Sequence, residues 1–187
     1  MSPELAFFIM GVQTLLLFCI FGIVFYFSYI MFSLRNELPY VPTAYPVIRR
    51  MIATAAIQPH DRVIDLGSGT GRIVLEVARQ YPVTVVGVER SKLLLCAARL
   101  RQFFTRRKGT VVWEHGDLFT YPLDGTTVVL CFLISSVLLR LAPRFEALPV
   151  GARIVSYKFA IPLSLHWQKE KITFGKNDRM HVYRKIS

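Results

Sequence analysis

The sequence predicts an α/β protein, a doubly wound, mainly parallel sheet with one antiparallel edge, preceded by a single transmembrane helix. Three observations lead there. Strand-like and helix-like segments alternate regularly from about residue 60 onward. One strand, Val83–Val88 (VTVVGV), is almost continuously apolar, as expected when both of its faces are covered. And residues 5–34 contain no Asp, Glu, Lys or Arg.

The 187 residues are thus two unlike parts. Glu4 is the only charged side chain in the first 34 residues, while residues 35–187 carry all 23 Lys and Arg against 11 acids, a net of +12. So apolar a composition excludes an intrinsically disordered chain. Three cysteines are too few for a disulfide-stapled miniprotein. Cys96 and Cys131 sit in apolar patterns without a CxxC pair and read as buried thiols of a reducing compartment.

Residues 1–34 form the anchor. A hydrocarbon core of about 30 Å needs about 20 helical residues, and the uncharged run supplies 30. A cleaved signal peptide would show a basic start and a small-residue cleavage site; neither is present. Arg35, Arg49 and Arg50 on the C-terminal flank place the rest of the chain in the cytoplasm by the positive-inside rule. The absence of arginine from the first 34 residues favours a bacterial inner membrane over a mitochondrial one.

Residues 35–59 form a proline-rich connector (Pro39, Pro42, Pro46) and a short helix around VIRRMIATAAI. Residues 60–187 form the domain. Arg62–Leu66 reads as a strand ending in glycines, and Arg72–Gln80 as a helix with Ile73, Val74, Val77 and Ala78 on one face. After the VTVVGV strand, Ser91 is an N-cap for a helix reaching Arg107. Thr110–Trp113 and Thr126–Phe132 are strands, Ser135–Leu148 a helix, and Gly151–Phe159 a fifth strand. Two last strand-like runs flank Gly-Lys-Asn-Asp, a hairpin signal.

The most informative stretch is Asp65-Leu66-Gly67-Ser68-Gly69-Thr70-Gly71-Arg72. A strand enters, three glycines alternate, and a helix leaves. Glycines there permit positive φ and let a ligand approach the backbone, and free N–H groups at the helix start favour an anion or carboxylate. A dinucleotide site would show GxGxxG, but Arg72 occupies the last position, and no Walker lysine follows. Instead Glu89 closes the second strand, 22 residues past Gly67, where a carboxylate can accept both ribose hydroxyls. Asp117 follows the third strand, within reach of an adenine amine, and Asp65 beside Gly67 suits a ligand bearing an ammonium group.

Three acids at three consecutive strand ends around a GxGxG turn resemble the class I, seven-stranded, Rossmann-like methyltransferases that use S-adenosyl-L-methionine. The resemblance covers about residues 60–187. It implies that Asp65, Gly67, Ser68, Gly69 and Gly71 surround the methionine part of the cofactor. Glu89 would hold the ribose, and Asp117 and Leu118 would lie against adenine. Taken singly, Glu89 reads equally as a solvated charge and Asp117 as a helix cap.

The order of an apolar helix, then Pro39-Tyr40-Val41-Pro42-Thr43, then DLGSGxGRIV is similar to the membrane-anchored protein-lysine methyltransferases of the ATP synthase c subunit and the adenine nucleotide translocase. Leu141-Ala142-Pro143-Arg144 and the run Val150–Phe159 share that likeness. Thr70 departs from it, standing where the group has Asp. The resemblance implies S-adenosyl-L-methionine as cofactor, a membrane-protein substrate, and Tyr40 and Thr43 as the pair orienting the acceptor amine. On physical grounds alone PYVPT reads equally as a stiff spacer.

Amide- or adenine-modifying enzymes commonly carry an Asn/Asp-Pro-Pro-aromatic motif after the fourth strand; here that place reads Cys131-Phe132-Leu133-Ile134. Between Arg90 and Lys108 lie seven basic residues and no acid. With little aromatic interleaving, that field fits an anionic lipid surface better than nucleic acid. The four histidines show no metal-ligand spacing. Two rivals remain: a methyltransferase of lipid amines or lipophilic small molecules, and a non-catalytic membrane scaffold retaining the fold.

Overall fold

A computed structural model describes residues 2–35, 41–174 and 178–187. The chain divides into two units, residues 1–41 and 42–187. The first contains helix α1 (Pro3–Arg35), 33 residues long, which is long and apolar enough to cross a membrane.

The second unit opens with α2 (Tyr45–Ala55). Pro46 suits the first turn, where its missing N–H costs nothing. Ile48, Met51, Ile52 and Ala55, at the i, i+3, i+4, i+7 spacing of one helix face, are all buried. They pack with Val63, Leu130 and Val155 of the sheet. The helix that the sequence groups with the connector is therefore a core element of the domain.

Next come β1 (Arg62–Leu66), α3 (Arg72–Gln80), β2 (Thr84–Glu89), α4 (Lys92–Phe103), β3 (Thr110–His115), β4 (Val128–Cys131), α5 (Ser135–Phe145), β5 (Arg153–Tyr157), β6 (Trp167–Phe174) and β7 (Asp178–Lys185). The seven strands form one sheet in the order β3-β2-β1-β4-β5-β7-β6. The first five are mutually parallel, and β7 lies antiparallel between β5 and β6. The expected mixed sheet with its antiparallel hairpin is thus the observed one. Strand order reverses between β1 and β4, so the turn after β1 opens at the crevice where such sheets take ligands.

Two sequence expectations change. Helix α4 stops at Phe103, short of Arg107. The Thr105 hydroxyl turns back to the Arg101 carbonyl at 2.9 Å, and the N–H groups of Lys108 and Gly109 both donate to Ala78 O. Those bonds draw the chain off the helix and into β3. Cys96 is exposed rather than buried, because α4 rests on the sheet through Leu95 and Ala98 and turns Cys96 outward. Cys131 is buried as expected.

The lower rim is closed by Asp61, just ahead of β1. Arg153 Nη2 reaches both of its oxygens at 2.5 Å, the Thr127 hydroxyl donates at 2.7 Å, and Gln58 N–H at 2.6 Å.

Candidate active site

At the upper end of β1 the backbone turns sharply. Gly67, Gly69 and Gly71 have φ of 79°, 55° and 74°, the left-handed region that side chains disfavour. The N–H groups of Gly67 and Ser68 both donate to Val88 O, at 2.9 and 3.0 Å, which ties the turn to the end of β2. A Cβ on Gly71 would fall 2.2 Å from the Trp113 ring, and one on Gly87 would fall 2.7 Å from it. Trp113 therefore fills the space that these two glycines leave, and its indole N–H donates to Gln102 of α4. No local motif marks this ring; Gly87 in the middle of an apolar strand is the one sequence signal for it.

Glu89 ends β2 and is buried. Its Oε2 accepts from Gly69 N–H and its Oε1 from Ser91 N–H, both at 2.8 Å. The carboxylate thus braces the glycine turn against the start of α4 while each oxygen keeps a further acceptor site. Asp65 is 2% exposed, and among the described residues no donor reaches its carboxylate. Burial, and then the nearby Glu89 charge, push its carboxyl up to about 8. Ser68 adds a buried hydroxyl that has no partner among the described residues. A buried acid and, beside it, a buried hydroxyl without a partner stand together at this strand end, the kind of polar atoms that a ligand can satisfy.

Asp117 follows β3. Its Oδ1 accepts from Phe119 N–H at 2.8 Å, so it caps the short turn through Tyr121. Leu118 is buried and faces the site, its methyl lying 3.8 Å from the Cβ position of Gly67. Arg144 fixes that turn from α5 through the carbonyls of Leu118 and Tyr121.

Tyr40 lies outside the described residues. Thr43 is buried just ahead of α2. The Arg72 guanidinium stacks 4.5 Å over the Tyr45 ring, which brings the start of α2 beside the start of α3, next to Gly71.

A further group lies one strand over. In the β1–β4 register Leu130 stands opposite Asp65, and Cys131 pairs with Ser156. Phe132 and Tyr157 follow, their rings edge to face at 5.0 Å. The Lys158 ammonium sits over both rings, 5.8 Å from Phe132 and 5.7 Å from Tyr157, on a backbone with φ of 70°. These contacts join residues 25 positions apart through strand register, so no local motif announced them. Burial and the hydrogen bond to Asp178 push the Tyr157 phenol up to about 12, so it stays neutral. The Cys131 thiol, raised to about 12 chiefly by burial, is no nucleophile.

A family model described as the ANTKMT methyltransferase domain matches residues 65–171. A protein-lysine N-methyltransferase of Saccharolobus islandicus is 35% identical over 129 residues, covering 67% of this chain and 79% of that protein. The adenine nucleotide translocase lysine N-methyltransferase of Mus musculus is 32% identical over 151 residues, 80% of this chain and 64% of that protein, so the chain spans under two thirds of that relative's length. Among solved structures, an RNA methyltransferase of Salinibacter ruber in complex with S-adenosyl-L-homocysteine matches with a TM-score of 0.72 and 32% identity, covering 79% of this chain and 95% of that one.

Proposed function

The chain belongs to the ANTKMT methyltransferase domain family of class I S-adenosyl-L-methionine-dependent methyltransferases, and from that premise we propose that its acceptor is a lysine side chain of a membrane protein. The residues at the strand ends suit the cofactor. Asp65 and Ser68 offer unsatisfied polar atoms for its amino-acid group, and the positive-φ glycines leave room for close approach. Glu89 keeps lone pairs for the ribose hydroxyls, and Leu118 gives an apolar surface for adenine. When bound, the cofactor supplies a methyl group on a sulfonium, an electrophile with a good leaving group.

What the protein adds is position. The observation that carries the lysine reading is the Phe132–Tyr157 pair, which already holds a lysine ammonium, that of Lys158, over both ring faces. An acceptor amine brought beside the Lys158 ammonium would lose its proton more readily than in water, because a neighbouring like charge disfavours its charged form against the reference value of about 10.4. Thr43 and Tyr40, in the segment entering α2, are the groups we assign to orient the amine. Helix α1 anchors the enzyme in the bilayer with the domain on the cytoplasmic side, confining it to acceptors at that surface.

The test is transfer of radiolabelled methyl groups from the donor to membranes, with Asp65→Ala as the binding-deficient control. We expect label in methyl-lysine of a membrane protein. Label recovered wholly in lipid, or in RNA, overturns the lysine assignment.

A further inference from the structure

Helix α4 has two apolar faces, and the sheet uses only one. Leu95 and Ala98 are buried against it. On the other side, Leu93, Cys96, Ala97, Leu100 and Phe103 are all exposed and fall within about 120° of the helix circumference at 100° per residue, and Phe104 at the C-cap is exposed as well. Phe103 and Phe104 are 86% and 84% exposed. So large an outward apolar stripe is uncommon on a water-facing helix and marks a contact surface.

Basic residues frame the stripe. Lys92 and Arg99 lie along one border and Arg101 along the other, and Arg106, Arg107 and Lys108 follow its end. Beyond Arg101, a shallow groove between α2, α3 and α4 is lined by Arg49, Arg72, Arg79, Arg101, Arg106 and Phe104. Its single carboxylate, Glu76, is engaged by Arg49, Arg79 and Gln80. Among the described residues no carboxylate pairs with Arg101 or Arg106, and Arg72 Nε is buried without a partner. Phe104 belongs to both the stripe and the groove.

We propose that the outer face of α4 is a membrane-docking surface. Leu93, Leu100, Phe103 and Phe104 enter the boundary of the acyl chains, and the arginine groove takes the phosphates of anionic lipids. The occupant is argued from charge: an apolar stripe bordered by cations is the pattern of an interfacial helix on an anionic bilayer. The proposal rests on the anchoring assigned to α1, which keeps the domain at a bilayer. Docking would hold α4 in the membrane plane and fix how the strand ends meet a membrane-embedded acceptor.

Two native thiols test it in the full chain. An environment-sensitive fluorophore goes on Cys96 in a Cys19→Ala background, and on Cys19 in a Cys96→Ala background; Cys131 is buried. Each protein is reconstituted in phosphatidylcholine vesicles with and without phosphatidylglycerol and exposed to shallow or deep nitroxide lipids and to aqueous iodide. We expect the Cys19 label to be quenched by deep nitroxide in both vesicles. The Cys96 label should be quenched by shallow nitroxide only when phosphatidylglycerol is present, and less so at high salt. Arg101→Gln and Arg106→Gln should each lower the docked fraction ratio about fivefold, with cofactor affinity unchanged as a check on folding.

If Cys19 is quenched by lipid while Cys96 stays open to iodide, the docking surface is wrong and the anchor stands. Should Cys96 be shielded without lipid quenching, and more so at higher protein density, a second copy covers the face and the proposal falls. If Cys19 is not quenched, the anchor falls, and the docking proposal that rests on it falls with it.

Discussion

Asp61 and Asp65 stand at the two ends of β1, both buried, and the fold treats them in opposite ways. Asp61 is 4% exposed and saturated with donors from Gln58, Thr127 and Arg153, while Arg153 also donates to the Ala56 carbonyl at 2.6 Å. Burial alone would raise its carboxyl, but those hydrogen bonds and the guanidinium outweigh it and hold the group below the usual carboxylate range. Asp65 is equally buried, has Glu89 for a neighbour instead of an arginine, and is pushed up to about 8. Burial does not tell a structural acid from a functional one; the supply of partners does. An acid left without such partners at the end of a strand costs stability, and under the proposed function a bound group would complete it.

The sharpest way to break this contrast is to remove each carboxylate. Asp61→Ala leaves Arg153 buried without its counter-charge and should cost about 3–5 kcal/mol in urea denaturation in detergent, with little change in cofactor affinity of the folded fraction. Asp65→Asn should leave stability at pH 8 unchanged or raised, and weaken cofactor binding about a hundredfold in calorimetry, near the loss of one charge-assisted contact. If Asp65→Asn proves as destabilising as Asp61→Ala, the two acids are both structural.

Next in size is the packing behind the glycine turn. Gly71→Ala sets a Cβ 2.2 Å from Trp113 on a backbone at φ 74°, and should cost about 2–4 kcal/mol. Adding Trp113→Phe removes part of the clash but not the backbone strain, so the double mutant should recover only part of the loss. Full recovery would show that the turn itself is unstrained.

How much of this was legible follows from how local each signal is. The DLGSGTGR turn and the acid closing β2 carry their spacing within one β–α–β unit, so the sequence alone places these acids at strand ends. The sheet likewise follows from alternating periodicity. By contrast, Trp113 meets Gly71 and Gly87 across three elements, and Phe132 meets Tyr157 only through the register of β4 on β5. Cys96 shows the limit of pattern alone: an apolar neighbourhood in sequence does not say which of two apolar helix faces will be covered.

The pH dependence separates the two acids at a smaller scale. The unfolded chain loses the Asp65 proton near 3.8, the folded chain near 8, so between those values the folded state holds the extra proton. Stability should therefore fall as pH rises through that window, and Asp65→Asn should flatten the trend. Asp61 acts in the opposite sense: its contribution is present above the ordinary carboxylate range and lost as pH falls below it. If a cofactor ammonium meets the ionised Asp65, affinity should rise by up to about tenfold per pH unit below 8. Calorimetry in buffers of differing ionisation heat should detect a proton released on binding. A flat profile with no proton release would mean that Asp65 is already ionised.

The smallest effect concerns Asp117, where a cap and a cofactor contact compete for one carboxylate. Its Oδ1 accepts from Phe119 N–H, a role that an amide oxygen fills as well. Asp117→Asn should then change stability by less than about 0.5 kcal/mol, and Asp117→Ala should cost about 1 kcal/mol. An acceptor for an adenine amine also survives the change to Asn, because the amide oxygen is still an acceptor, but not the change to Ala. The Asn variant should therefore bind the cofactor nearly as wild type does, and the Ala variant more weakly by more than its loss of cap explains. If both variants bind alike, Asp117 serves the turn alone and Leu118 is what that turn presents to the ligand.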